Sequence, residues 1–265
     1  MGELGIFSWF GYDLPLAERL GLIAEAGFAS TCLWCAPGEA LFEAGQADAM
    51  PALVREAGLR IDNIHAPYGN CNRLWAESDA DASVVVAEYD AALSLCQRHA
   101  IPLCVVHLTS GVTPPPKNDA GLRRVRGLVH RAAEMGVVLA VENTHKPKYV
   151  DFVFANIDSP HLGFCYDSSH DFLPSGTRGA ILERWGHRLV TTHLSDNHGI
   201  EDDHLMPGHG VIDWRLIVDA FPKYTYTGPV MLEIDAKGAA SGGPPAYLCE
   251  AYEKAVFLTG FLAGE

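Results

Sequence analysis

Eight short apolar segments, each followed by a helix-forming stretch, constrain the fold of this chain of 265 residues more than any other feature. The predicted strands are Leu4–Trp9, Ser30–Trp34, Arg60–His65, Leu103–His107, Val137–Glu142, Leu162–Tyr166, Leu189–Leu194 and Pro229–Ile234. Apolar strands that alternate with helices are typical of a parallel sheet that is covered on both faces. The first predicted helix runs to Ala26, with Asp13 as its expected N-terminal cap.

Eight such units fit a closed (β/α)₈ barrel, which typically has about 250 residues. We therefore predict an α/β fold, a (β/α)₈ TIM barrel in which residues 1–265 form a single domain. The alternative is an open, doubly wound sheet. Its dinucleotide-binding form is disfavoured because no Gly-x-Gly-x-x-Gly motif follows the first predicted strand.

The charge of the chain argues against nucleic acid as a partner. The 33 acidic residues outnumber the 19 basic ones and give a formal net charge of −14. Binding to a phosphate backbone depends on Lys and Arg side chains. The loop predicted after the second strand, Ala36–Met50, carries acidic residues and no basic ones. We therefore expect a small, sugar-like substrate and no nucleic acid.

The lack of an evident targeting signal and the cysteine usage favour a cytoplasmic protein. No apolar run approaches the roughly 18 residues of a membrane span, and no basic residue precedes Arg19 as a signal peptide would require. The seven cysteines are scattered, and the single Cys-x-x-Cys, Cys32–Cys35, has no second copy to complete a zinc site. We expect no membrane partner, and a homodimer is the default expectation for assembly.

Metal-binding side chains lie at the carboxyl ends of six predicted strands. In chain order they are His65, His107, Glu142, Asp167, His193 and Glu233, and successive members are 25 to 42 residues apart. In a barrel these strand ends meet at one mouth, where active sites lie. A single strand-end Asp is as often a helix cap, but six such side chains brought together need a cation to offset their burial. The pattern therefore predicts a divalent-metal site, which Mn, Zn, Co, Mg or Fe could occupy.

Three further residues are candidate additional ligands. His170 lies one helical turn beyond Asp167, and the loop after the seventh strand contains Asp202 and His204. The glycine-framed turn Pro207-Gly-His-Gly210 can fold this loop back over the mouth. The alternative for Asp202 and His204 is a solvated acidic loop.

Several side chains near the mouth are candidate substrate contacts. We predict substrate binding by His65, His107, His170, Lys146, Tyr68 and Trp9. The aromatic rings would wall a sugar pocket or simply pack at the rim, and Lys146 would bind a phosphate or stay solvated. Other residues of the same region with this potential are Trp34, Trp75, His145, His198 and His209.

Five motifs resemble those of the xylose-isomerase-like barrel superfamily, and the resemblance covers essentially the whole chain. They are Ile64-His-Ala-Pro-Tyr68, Val141-Glu-Asn143, Asp167-x-x-His170, His193-Leu-x-Asp196 and Pro207-Gly-x-Gly210. The superfamily includes sugar and sugar-phosphate isomerases and epimerases, and also the endonuclease IV type of abasic-site nuclease. The motifs indicate the superfamily and do not select one activity.

The epimerase branch implies one divalent metal with four ligands, which fall here on Glu142, Asp167, His193 and Glu233. In that branch the two Glu side chains stand on opposite faces of the substrate. One removes a proton beside a metal-polarised carbonyl and the other returns it. The resemblance therefore implies that Glu142 and Glu233 are catalytic as well as metal-binding.

The nuclease branch implies three zinc ions with nine ligands, and all nine positions are filled here. They are His65, His107, Glu142, Asp167, His170, His193, Asp202, His204 and Glu233. That branch usually has Gly-Glu-Gly where this chain has Gly208-His-Gly210.

Because the net charge disfavours nucleic acid, we expect a metal-dependent isomerase or epimerase of a sugar or sugar phosphate. One alternative is a multinuclear zinc hydrolase that acts on a small phosphoester, and another is a dehydratase of a keto-polyol. A non-catalytic sugar-binding barrel would not need two opposed carboxylate bases.

Overall fold

Eight parallel strands form one sheet in the computed structural model, which describes residues 2–221, 226–237 and 242–263. The strands are β1 (Leu4–Phe7), β2 (Ser30–Trp34), β3 (Arg60–His65), β4 (Leu103–His107), β5 (Val138–Glu142), β6 (Leu162–Asp167), β7 (Leu189–His193) and β8 (Val230–Leu232). Each strand pairs with its neighbours in sequence, and β1 pairs with β8.

The sheet closes between β7 and β8, which makes it a barrel. The backbone N–H of Leu194 donates to the carbonyl of Met231 (2.8 Å), and the N–H of Glu233 donates to the carbonyl of Leu194 (3.1 Å). The prediction of a single (β/α)₈ barrel is confirmed.

Helices alternate with the strands around the barrel. They are α1 (Leu16–Glu25), α2 (Ala40–Glu43), α3 (Met50–Glu56), α4 (Asp79–Arg98), α5 (Asp119–Met135), α6 (Lys148–Asn156), α7 (Ser168–Phe172), α8 (Ala180–Trp185), α9 (Trp214–Ala220) and α10 (Gly243–Ala263). Short 3₁₀ turns lie at Ala47–Ala49, Cys71–Trp75 and Gly186–Arg188. None of the described helices has the length and apolar character that a membrane span requires.

Local sequence determines where these elements begin and end. The side chain of Asn118 caps α5 by accepting a hydrogen bond from the N–H of Gly121 (2.8 Å), and Gly136 ends that helix with φ +68°. The prediction that Asp13 caps the first helix is wrong. That helix begins at Leu16, directly after Pro15, and no side chain caps it. The restricted φ of proline suits a helix start.

The buried core lies in the barrel interior and between the sheet and its helices. Every residue of β4 and β6 is buried, which explains why these strands read as uninterrupted apolar runs. The polar exceptions lie at the carboxyl ends of the strands, where His107 and Asp167 are buried. The fold therefore places several of its buried ionisable groups at one mouth of the barrel.

Candidate metal centre

The six strand-end residues predicted as ligands converge at the barrel mouth. His65, His107, Glu142, Asp167 and His193 are the last residues of β3 to β7, and Glu233 directly follows β8. All six are buried except Glu233, whose side chain is 16% exposed. The barrel geometry thus brings together side chains that are far apart in sequence.

The carboxylate of Glu142 is the centre of this cluster and contacts four imidazoles. Its Oε1 lies 3.2 Å from Nε2 of His107 and 3.1 Å from Nδ1 of His170. Its Oε2 lies 2.9 Å from Nδ1 of His193 and 3.3 Å from Nε2 of His65. A carboxylate shared in this way can bridge neighbouring metal positions.

Three groups of candidate ligands share Glu142, and in the third Cys165 joins Glu142 and His193. The first, which we name the central tetrad, consists of Glu142, Asp167, His193 and Glu233; one ligand atom from each lies within 4.8 Å of all the others. Nδ1 of His193 lies between the two Glu carboxylates, 3.1 Å from Oε2 of Glu233. The second group adds His65 and His107 to Glu142 under the same distance limit.

The other three candidate ligands form a further group, the distal triad of His170, Asp202 and His204, which contacts Glu142 through His170. Oδ2 of Asp202 lies 3.1 Å from Nε2 of His170 and 3.1 Å from Nε2 of His204. The loop after β7 therefore does fold back over the mouth, as the turn Pro207-Gly-His-Gly210 predicted.

The polar atoms of this centre fit a cation better than they fit one another. Several buried ligand atoms are close to partners but lack a hydrogen bond of acceptable geometry. They are His107 Nε2, Glu142 Oε1, Asp167 Oδ2, His170 Nδ1 and Glu233 Oε2. Buried polar groups in native proteins nearly always have hydrogen-bond partners. A cluster of buried nitrogen and oxygen atoms without such partners therefore indicates a ligand-binding position. Imidazole and carboxylate donors suit divalent transition metals.

Neighbouring groups orient the ligands. The side-chain amide of Asn143 donates to the carbonyl of Asp167 (2.8 Å), and the N–H of Asp167 donates to the amide oxygen of Asn143 (2.9 Å). Nδ1 of His65 lies 2.9 Å from the carbonyl of Ala66, so Nδ1 carries the proton in that pairing and Nε2 is free to bind a metal. Such secondary contacts fix the direction of the ligand atoms.

The centre buries carboxyl and imidazole groups next to one another, away from water. For Glu142, burial opposes ionisation, but His107 and His193 outweigh it and hold the pKa of that carboxyl well below its usual range. Burial raises the pKa of Asp167 well above its usual range, and Asp202 adds to that rise. One carboxyl that resists ionisation beside others that are ionised is a conflict that a bound cation would relieve.

The distal triad shows the same pairing of charges. Burial lowers the pKa of His204, but the carboxylate of Asp202 outweighs it and raises that pKa to about 10. Burial opposes ionisation of Asp202, and His170 and His204 together hold its pKa well below the usual range.

A cavity of about 550 Å³ opens above the centre. Phe7, Trp9, Trp34 and Tyr68 form an aromatic side, and Thr109, Ser110 and Thr144 contribute hydroxyl groups. Glu233, His170, Asp202 and His204 line it as well, whereas Glu142 does not. The described residues that line the cavity include no Lys or Arg.

The structure separates the predicted substrate contacts into two groups. Trp9, Tyr68, His65 and His107 line the cavity, and the ring of Tyr68 stacks on that of His107 with centroids 4.8 Å apart. Lys146 is not among the described lining residues.

The remaining candidates divide in the same way. Trp34 and His145 line the cavity. Trp75 is buried in the core, where its indole N–H donates to the carbonyl of Leu108 (2.8 Å). His198 and His209 instead pair with Asp203 and Glu250 at the surface.

Sequence reasoning missed the three hydroxyl residues of the cavity, Thr109, Ser110 and Thr144. Thr109 and Thr144 are buried and share a hydrogen bond of 2.8 Å between their hydroxyl groups. They lie two residues after His107 and Glu142, which is the spacing that keeps side chains on one face of an extended chain. That period of two is the signal that could have found them.

Comparison with known proteins places this chain in a family. A model of the xylose isomerase-like TIM barrel family matches residues 20–252. The chain belongs to the xylose isomerase-like TIM barrel family. A relative, the uncharacterized protein y4fM of Sinorhizobium fredii (strain NBRC 101917 / NGR234), is 27% identical over 255 residues, which covers 84% of this chain and 82% of that protein.

Solved structures share the fold of this chain at low identity. A fusion of a xylose isomerase-like TIM barrel with 4-hydroxyphenylpyruvate dioxygenase superposes with a TM-score of 0.79 and 18% identity; the match covers 98% of this chain and 43% of the fusion. L-ribulose 3-epimerase superposes with a TM-score of 0.78 and 16% identity over 100% of this chain and 95% of that chain. At these identities the likeness shows a common fold.

Proposed function

We propose that this protein is a divalent-metal-dependent isomerase or epimerase of a small polyhydroxy carbonyl compound, with the metal bound by the central tetrad. The observation that carries the proposal is that the carboxylates of Glu142 and Glu233 both contact Nδ1 of His193, at 2.9 and 3.1 Å. The family includes a sugar epimerase among its solved structures, which supports the same class of reaction.

The two carboxylates have unequal access to a substrate. Glu233 lines the cavity, whereas Glu142 is not among the described lining residues and is 1% exposed. Burial opposes ionisation of both, but His193 outweighs it for Glu233 and lowers its pKa. An ionised Glu233 is therefore ready to accept the proton beside the carbonyl, and we assign Glu142 to the second transfer.

A divalent metal bound to the tetrad would supply Lewis-acid polarisation of the carbonyl oxygen. The protein's own contribution is to hold the substrate against Glu233 and to exclude water. The aromatic side formed by Trp9, Trp34 and Tyr68 offers flat apolar surface to a carbon skeleton, and Thr109 and Ser110 offer hydroxyl partners to a polyol.

The cavity favours an uncharged sugar over a sugar phosphate. Among the described residues, its charged lining consists of the carboxylates of Asp202, Glu233 and Asp235 together with the histidines of the site. A phosphate is usually held by Arg, Lys or a helix N-terminus. We therefore place neutral ketoses and their cyclic forms first among substrates.

The experiment is a panel of ketoses incubated with the metal-loaded enzyme in D₂O. Proton transfer predicts deuterium at the carbon beside the carbonyl together with an isomer or epimer of the substrate. Glu233→Gln should lower turnover by about 10²- to 10⁴-fold, the usual contribution of a general base, and retain binding. Turnover that survives this substitution would falsify the two-carboxylate mechanism.

A multinuclear hydrolase of small phosphoesters is the second candidate, because one observation favours it specifically. The distal triad adjoins the tetrad through the 3.1 Å contact between His170 and Glu142, so nine candidate ligands form one continuous cluster. Two or three equivalents of zinc, together with hydrolysis of a simple phosphodiester, would select this candidate. A dehydratase would share the proton abstraction and be recognised by loss of water from the product.

A further inference from the structure

One buried carboxylate holds the loop that carries two members of the distal triad. Asp196 is fully buried just beyond β7, and its side chain accepts four hydrogen bonds. Oδ1 accepts from the N–H groups of Asn197 (2.9 Å) and Ile212 (3.0 Å). Oδ2 accepts from the N–H of Gly208 (2.9 Å) and the indole N–H of Trp214 (3.0 Å). Residues 197–213, which we name the mouth loop, supply three of the donors, and Trp214 directly after the loop supplies the fourth.

The backbone of Asp196 also fixes the middle of the mouth loop. Its N–H donates to the carbonyl of Leu205 (2.8 Å), and its carbonyl accepts from the N–H of Leu205 (2.8 Å). The loop packs so closely here that a Cβ on Gly210 would lie 2.3 Å from Oδ1 of Asp196. Six hydrogen bonds to one residue therefore fold the loop into a closed form.

This closed form places Asp202 and His204 against His170. Asp202 accepts a hydrogen bond at Oδ1 from the hydroxyl of Ser169 (2.5 Å) and presents Oδ2 to the two imidazoles. His204 has φ +51°, a conformation that L-residues avoid and that persists only when surrounding structure enforces it. The carbonyl of His204 accepts from the N–H of Asp235 (2.8 Å), a contact that helps to hold this conformation.

A second path links the same residues. The side-chain amide of Asn197, next to Asp196, donates to the carbonyl (2.8 Å) and the hydroxyl (3.0 Å) of Ser169. Ser169 in turn contacts Asp202 and precedes His170 in α7. These contacts therefore fix the position of the mouth loop relative to α7 where the distal triad forms.

We propose that Asp196 is a positioning residue that closes the mouth loop so that His170, Asp202 and His204 together bind a divalent cation. Asp196 acts through the loop and does not itself contact the triad. The inference is independent of the isomerase proposal, which needs only the central tetrad.

Zinc titration of the metal-free, full-length protein by calorimetry tests this role. We expect a zinc-binding step in the wild-type protein that Asp202→Asn lacks. Asp196→Asn replaces an acceptor oxygen by an amide that would face N–H donors. It should weaken the same step by about 10- to 100-fold, as loss of a ligand-orienting contact does. In the Asp202→Asn background, Asp196→Asn should have no further effect on zinc affinity.

Asp62→Asn is the matched control. Asp62 is also a buried carboxylate and accepts from Asn63 (3.0 Å) and Thr191 (2.8 Å), but it lies in β3 away from the loop. The control should lower stability and leave zinc binding unchanged. Trp214→Phe removes a single donor to Asp196, and it should weaken the same zinc step even if Asp196→Asn does not fold.

Three results would overturn the proposal. The first is an unchanged zinc titration in folded Asp196→Asn or, if that variant does not fold, in Trp214→Phe. The second is equal weakening by Asp62→Asn. The third is a zinc titration of the wild-type protein that matches that of Asp202→Asn. None of these results bears on deuterium exchange at the central tetrad, so failure here is distinguishable from failure of the proposed function.

Discussion

Glu142 and His193 form an ion pair at the centre of the barrel mouth, with Oε2 and Nδ1 2.9 Å apart and both side chains essentially inaccessible to solvent. The pair joins the ends of β5 and β7, two strands that are separated by β6 in the sheet. Because Glu142 also contacts three other imidazoles, its charge holds much of the mouth together when no metal is bound.

Loss of the Glu142 charge should destabilise the metal-free protein. We expect Glu142→Gln to lower the free energy of unfolding by about 3–5 kcal/mol, because removing one partner of a buried ion pair leaves the other uncompensated. Urea denaturation in the presence of a chelator measures this change. Asp48→Asn, which removes an exposed pair with Arg98, should cost no more than about 1 kcal/mol. Equal effects of the two substitutions would contradict the central position of Glu142.

Stability of the metal-free protein should fall as the pH rises from neutral to alkaline. The pKa of His204 is about 10 in the folded protein and about 6.5 in its ordinary state. A raised folded pKa contributes stability that is complete below pH 6.5 and is lost as the pH passes through about 10. Urea midpoints at pH 6, 8 and 10 test this trend, and His204→Gln should flatten it. A midpoint that rises over this range would contradict the assignment.

Two glycines should respond in opposite ways to alanine. In Gly210→Ala the new Cβ would lie 2.2 Å from the carbonyl oxygen of Asn197, so we expect a loss of about 1–3 kcal/mol from overpacking. Gly127 lies within α5, where a new Cβ would meet no other atom within 4 Å, so Gly127→Ala should gain about 0.5–1 kcal/mol. Thermal unfolding of both variants measures the difference, and a neutral Gly210→Ala would show that the mouth loop is not closed as described.

Cys249 should be the one thiol that reacts rapidly in the native protein. It is exposed, whereas the other six cysteines, all within the described residues, are buried. Burial also raises the pKa of Cys71 to about 11 and that of Cys32 to about 12, which keeps both protonated and unreactive at neutral pH. Titration with a chromogenic disulfide should detect one thiol before denaturation and seven after it. Rapid reaction of Cys32 or Cys35 would instead support redox chemistry at the Cys-x-x-Cys motif.

The fold was predictable because barrel strands are buried on both faces. Such strands leave continuous apolar runs such as Val138–Glu142, and the runs recur at the spacing of one strand and one helix. The convergence of the six strand-end candidate ligands was predictable for the same reason, since a polar residue that ends an apolar run stands out. His170, Asp202 and His204 followed from the resemblance and from the glycine-framed turn.

The rest of the site could not be predicted, for identifiable physical reasons. Asp196 binds backbone N–H groups up to 16 residues further along the chain, and backbone donors leave no trace in side-chain sequence. Lys146 is not among the described residues that line the cavity, and the direction of a loop side chain is determined by tertiary packing that a sequence pattern does not encode. Gly210 marks a close approach whose partner, Asp196, is visible only in the folded chain.

Metal content per chain tests the central claim most directly. Elemental analysis of protein purified without chelators should find at least one equivalent of a divalent metal in the wild-type protein and a clear loss of it in Glu142→Gln. One equivalent would agree with a metal at the central tetrad, and two or three would extend binding to the distal triad. No divalent metal above background, or equal metal content in wild type and variant, would contradict the account.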